Sequence, residues 1–162
     1  MSEGAPTAYD RALRLLSVRA RSRHELELLL ARRGFGAQEI SAALTRLTEL
    51  SYVDDARFAL QRATVLLRDG RLGVEGAHAR LLAHGLSASA ARVAIDQARR
   101  ELGFDAYASA KTLLQRRKLF GRPLLPKERA RAERLLSTRG FDADVVERLL
   151  SERGLDPRDG GD

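Results

Sequence analysis

The chain of 162 residues has no cysteine, no tryptophan and no asparagine, and only one methionine. Without cysteine there are no disulfides and no thiolate metal ligands, which fits a reducing compartment. Met1 to Thr7 holds no apolar stretch of the signal-peptide kind, so the expected location is the cytoplasm. No apolar run approaches the ~20 residues that span a bilayer, so no membrane partner is expected. Aromatic residues make up 5% of the chain and fall mostly at apolar-periodic positions. Proteins that stack single-stranded bases carry exposed rings among basic residues, and that pattern is missing here. Runs of β-branched residues are also absent, so nothing reads as a strand.

Leucine, alanine, arginine and glutamate dominate, and all are good helix formers. The net charge is +7, almost all of it from arginine, since the only lysines are Lys111, Lys118 and Lys127. The charge is unevenly placed. Residues 111–139 carry ten basic and two acidic side chains, and residues 140–162 carry three and seven. A charge run is most often a solvated helix face. Ten cations in so short a stretch repel one another, however, unless a partner or counterions screen them, which points to a polyanion or an acidic protein surface. The candidate binding residues are Arg116, Arg117, Lys118, Arg122, Lys127, Arg129, Arg131 and Arg134. Lys127, Arg131 and Arg134 have i, i+4, i+7 spacing and share one helix face. Ala132 and Leu136 fall opposite and are expected in the core.

Three short segments repeat: Arg33-Gly34-Phe35, His84-Gly85-Leu86 and Arg139-Gly140-Phe141. Leu30, Leu81 and Leu136 precede the glycines at one common offset. Ile40, Ala91 and Val146 follow at another, and Leu44, Ile95 and Leu150 at a third. A glycine closing an apolar-periodic run is the left-handed residue that stops a helix, and the apolar positions beyond it mark the buried face of the next. Ser22-Arg23-His24-Glu25 reads as a capping box. Asp54, Ser87 and Asp142 stand where N-caps are needed. Val53 and Phe58 are spaced as a hydrophobic staple, and Tyr52 and Phe58 read as core.

The expected helices are 8–19, 22–33, 37–50, 55–69, 73–84, 88–102, 105–117, 126–139 and 142–153. They form an all-α chain of three tandem three-helix repeats, 8–53, 54–104 and 105–153, with tails at 1–7 and 154–162. Units this small lean on their neighbours, so a curved, elongated monomer is expected.

Catalytic chemistry finds little support. His24, His78 and His84 lack ligand spacing and read as surface residues, so no metal is expected. There is no glycine-rich phosphate loop followed by Lys-Ser/Thr, and no cofactor is implied. Asp54 and Asp55 are adjacent at a helix start, where capping and the helix dipole account for them, with Arg57 as a pairing candidate. No catalytic residue is assigned and no enzyme is expected.

Ser22-Arg23-x-Glu25-Leu26, then Arg33-Gly34-Phe35, then Leu50-x-Tyr52-Val53-Asp54-Asp55-x-Arg57-Phe58-Ala59 resemble the signature of the RecX family. Gly73, Ala77, Leu81 and Gly85-Leu86 in the second unit, and Arg139-Gly140-Phe141 with Val145-Val146 in the third, fit the same resemblance, which spans roughly residues 8–153. It implies negative regulation of the RecA recombinase in DNA repair, recombination and the SOS response. A protein of this kind binds in the groove of the RecA–single-stranded DNA filament and inhibits its extension, ATP hydrolysis and strand exchange. Some members also bind single-stranded or double-stranded DNA. The alternative is a helix-turn-helix-like protein acting on DNA directly, since three-helix units resemble that motif. The lack of asparagine, and glutamine only at 38, 61, 97 and 115, argues against reading base edges.

Overall fold

The computed structural model describes residues 6–151, all of whose regular elements are helices. They are α1 (Ala8–Val18), α2 (Arg23–Ala31), α3 (Ala37–Glu49), α4 (Asp55–Arg68), α5 (Val74–Ala83), α6 (Ala88–Leu102), α7 (Ala106–Arg116), α8 (Pro126–Thr138) and α9 (Ala143–Ser151). The expected tails fall largely at 1–5 and 152–162, outside the described residues. Thr7 is the N-cap of α1 and forms a capping box with Asp10.

Local chemistry starts and stops these helices. Ser22 and Glu25 close a capping box on α2, and Asp54, Ser87 and Asp105 cap α4, α6 and α7 through their side chains. Gly34, Gly85 and Gly140 all adopt positive φ, at 87°, 77° and 71°. At the first and third of these turns the next residue folds back: the Phe35 and Phe141 amides donate to the Leu30 and Leu136 carbonyls.

Three hydrophobic clusters follow one another along the chain. Leu26, Leu30, Leu44 and Leu47 are sealed among α1, α2 and α3. Phe58, Leu67, Leu81 and Ile95 are buried among α4, α5 and α6. Leu114, Leu136, Phe141 and Leu149 are buried among α7, α8 and α9. Each fully buried leucine contributes about 2 kcal/mol. Ala132 and Leu136 lie in the core as their spacing predicts. Tyr52 does not: it is 56% exposed, because Ser51 turns into positive φ and sends the following side chain outward while Val53 takes the core position. The Arg57 guanidinium pairs with neither Asp54 nor Asp55 but donates to the Ser51 carbonyl, while its amide donates to the capping Asp54 carboxylate.

The units join in series by one repeated device. The hydroxyl of Ser22, the N-cap of α2, donates to the carbonyl of His84, the C-cap of α5, at 2.6 Å. The amide of Gly73, the N-cap of α5, donates to the carbonyl of Arg139, the C-cap of α8, at 2.9 Å. At both joints the second helix of one unit ends on the start of the second helix of the unit before it, so that opposite ends of the helix dipoles meet. The second joint needs bare backbone: a Cβ on Gly73 would overlap the Gly140 carbonyl, and one on Gly76 would overlap that of Arg139. The first adds Asp55, which accepts from the Arg23 amide at 2.8 Å, and Glu25, whose carboxylate meets His84 Nδ1 at 3.2 Å. His84 is thus not the surface residue its spacing suggests. It is half-buried, edge-on to Phe58 with ring centroids 5.4 Å apart. Stacking in series leaves an elongated molecule.

Candidate partner-binding site

The basic stretch of the third unit divides by what each side chain does. Arg117, at the end of α7, and Arg131 and Arg134, on α8, line one concavity with Leu119, Leu135, Thr138 and Arg139. Arg122 is held by Glu128, with Nη1 2.8 Å from Oε2, and so braces the loop before α8. That bond, with the Leu125 amide, pulls the Glu128 carboxyl down to about 2. Arg129 reaches across to the Leu150 carbonyl at 3.1 Å and caps the end of α9. Lys118 sits at positive φ in the turn after α7, and Lys127 lies in the first turn of α8. The concavity therefore gathers Arg131 and Arg134 from the α8 face with Arg117, while Lys127, Arg116, Lys118, Arg122 and Arg129 lie outside its lining.

Arg139 also lines a larger cleft of about 830 Å³, shared with Arg62, Arg68, Asp69, Arg71, Arg80 and His84. Its apolar lining is Val65, Leu66, Leu72 and Ala83. The two hollows have Arg139 in common, the residue that also makes the joint between the second and third units. Asp69 is the one carboxylate in the lining of either, and it pairs with Arg71 at 2.9 Å. Among the described residues no carboxylate comes within ion-pairing distance of Arg62, Arg68, Arg80, Arg117, Arg131, Arg134 or Arg139. The Nε of Arg62 is buried with no hydrogen-bond partner. Like charges gathered in a concave surface focus a positive field outward, so the hollows attract anions.

The second-unit hollow was hidden in the sequence. Its arginines are spread over residues 54–106, where eight basic side chains stand among seven acidic ones, so no local excess marks them. The available signal was periodic: Arg62 stands three residues before Val65 and four before Leu66, so the three share one side of α4.

Among the described residues no group of three or more histidine, aspartate or glutamate side chains is placed to hold a metal ion, and no helix is long and apolar enough to cross a membrane. The arrangement offers guanidinium donors and aliphatic surface to a partner.

The description "RecX, first three-helix domain" matches residues 8–47. A regulatory protein RecX from Pseudomonas fluorescens is 38% identical over 146 residues, covering 90% of each chain. Another, from Stenotrophomonas maltophilia, is 37% identical over 88% of this chain and 84% of its own. The crystal structure of RecX from Lactobacillus salivarius superposes with a TM-score of 0.72 at 21% identity, over 92% of this chain and 96% of that one. A second crystal structure of a regulatory protein RecX gives 0.76, over 89% and 71%. With a helical repeat architecture shared by solved members and more than a third of its residues shared with relatives along nearly its whole length, this chain belongs to the RecX family of regulatory proteins.

Proposed function

We propose that this protein is a cytoplasmic, non-enzymatic negative regulator of the RecA recombinase. It binds along the groove of the RecA–single-stranded DNA filament and suppresses filament extension, ATP hydrolysis and strand exchange. Family membership supports a regulatory role. The observation that carries the reading is the concavity lined by Arg117, Arg131, Arg134 and Arg139, with no carboxylate in its lining, on an elongated molecule of helical units stacked in series. An unpaired cationic surface of this kind gains energy only against an anionic partner, either DNA phosphate or an acidic face of the recombinase.

The test is a titration of the protein into RecA hydrolysing ATP on single-stranded DNA. The expected result is inhibition at protein concentrations well below that of RecA, because a few bound molecules suffice to block a filament. Inhibition only when the DNA itself is saturated would replace this reading with competition for DNA. The basic hollows draw their cations from several elements, where a base reader aligns its contacts on one recognition helix, and this weighs against the helix-turn-helix alternative.

A further inference from the structure

The cleft at the middle of the molecule has a composition that DNA binding does not explain. Arginines and aliphatic side chains line it together. Val65 is 55% exposed there, beside Leu66, Leu72 and Ala83. No phenylalanine, tyrosine or tryptophan lines it, and its one ring, that of His84, is bonded to Glu25 and set edge-on against Phe58, so bases find no open ring platform. The amides at the start of α5, a usual anion cradle, already donate to Arg139 and Gly140. What remains is a set of guanidinium forks around apolar surface. Guanidiniums pair with carboxylates in bidentate fashion, and an exposed valine beside a partly buried leucine favours apolar side chains over sugar and phosphate.

We propose that this cleft is a docking site for an acidic, amphipathic segment of a partner protein. Carboxylates on one face of the segment pair with Arg62, Arg80 and Arg139, and its apolar side chains rest on Val65 and Leu66. The position gives the contact a second consequence. His84 and Arg139, which both line the cleft, are the C-caps whose carbonyls make the two joints between units. A segment seated across them clamps the second unit to the third and braces the turn that holds the first. Occupancy therefore stiffens the molecule along its length. This goes beyond the filament reading and does not depend on it.

Three ligands distinguish the possibilities by fluorescence anisotropy at fixed salt. One is a labelled synthetic helical peptide with glutamate on one face and leucine on the adjoining one. The second is a labelled oligothymidylate, and the third a labelled peptide with the leucines replaced by serine. The leucine-bearing peptide is expected to bind the intact protein. R62Q/R80Q should weaken it by about tenfold or more, the loss of charge-assisted hydrogen bonds, while R131Q/R134Q leaves it unchanged. Val65→Ser should weaken the leucine-bearing peptide without affecting oligothymidylate. Val65 is exposed, so this variant tests the cleft without disturbing the core. Equal binding of the two peptides, or loss of oligothymidylate alone in R62Q/R80Q, would overturn the proposal. If the leucine-bearing peptide fails to bind while the protein still inhibits RecA below equimolar amounts, the docking site falls and the filament reading stands.

Discussion

The hydroxyl of Ser22 donates to the carbonyl of His84 across 62 positions of sequence while accepting the amide of Glu25 at 3.1 Å. One buried oxygen thus starts a helix in the first unit and fastens that unit to the second. Ser22→Ala removes both bonds and leaves the His84 carbonyl short of a donor. The expected cost is about 1–3 kcal/mol, seen as a lower urea midpoint. Ser22→Thr keeps the hydroxyl and should recover part of that loss. If Ser22→Ala unfolds at the wild-type midpoint, the joint does not contribute to stability.

Gly36 and Gly73 are both helix N-caps with no side-chain cap, yet they should respond differently to a methyl group. A Cβ on Gly36 meets nothing within 4 Å, and Gly36→Ala should change stability by about 1 kcal/mol or less, the cost of a poorer cap. A Cβ on Gly73 would overlap the Gly140 carbonyl, so Gly73→Ala must push the second and third units apart. It is expected to destabilise by about 2–4 kcal/mol, as overpacked cores do, and to speed amide exchange at Gly73 and Glu75. Similar thermal midpoints for the two variants would contradict the joint as described.

The basic residues of the third unit should separate by role. Arg129→Ala leaves the end of α9 without its cap and should cost about 1 kcal/mol of stability while sparing RecA inhibition. Charge reversal of Lys127, Arg131 and Arg134 together should abolish inhibition with helicity retained by circular dichroism. Reversing Arg117 in place of Lys127 should act at least as strongly, because Arg117 shares the concavity with Arg131 and Arg134. A folded triple variant that still inhibits would retire the assignment.

Three carboxylates lie below their ordinary range, Asp10 in the α1 cap and the ion-paired Glu25 and Glu128, and the last two carry the contacts at issue. For Glu25, burial pushes the carboxyl up, but Arg19, the Ser22 amide and His84 together outweigh it, leaving it below the ordinary carboxylate range. For Glu128, hydrogen bonds from Arg122 and the Leu125 amide lower it from 4.5 to about 2. A lowered carboxyl favours the folded state above its unfolded value, and that contribution is lost as pH falls through the folded one. The two contacts should therefore persist at pH 5 and weaken progressively from about pH 4.5 downward, with Glu128 holding until about 2. Carbon-detected NMR titration of both carboxyls checks this. An ordinary midpoint for Glu128 would mean that the Arg122 contact does not form in solution.

The helices and their order were legible because each signal was local. The Ser22-Glu25 capping box, the N-caps Asp54 and Ser87, and the stop glycines 34, 85 and 140 act over four or five residues, and the apolar spacing names the side each helix buries. One of the two hollows was legible for a related reason: Arg117, Arg131 and Arg134 belong to a contiguous run of like charge. Within the same run Arg122 and Arg129 also serve the fold, through Glu128 and the Leu150 carbonyl, which a charge count does not reveal. Tyr52 and His84 exchanged their expected places because a left-handed turn redirects the first and an inter-unit contact encloses the second.

The amino-acid order alone determined the helices, their caps and the repetition of a three-helix unit, because a hydrogen-bonded turn depends on residues a few positions apart. Only the folded arrangement decided how units join end to end and which arginines face one hollow. Those outcomes depend on distances through space, between Ser22 and His84 or between Arg62 and Arg139, which spacing along the chain does not encode.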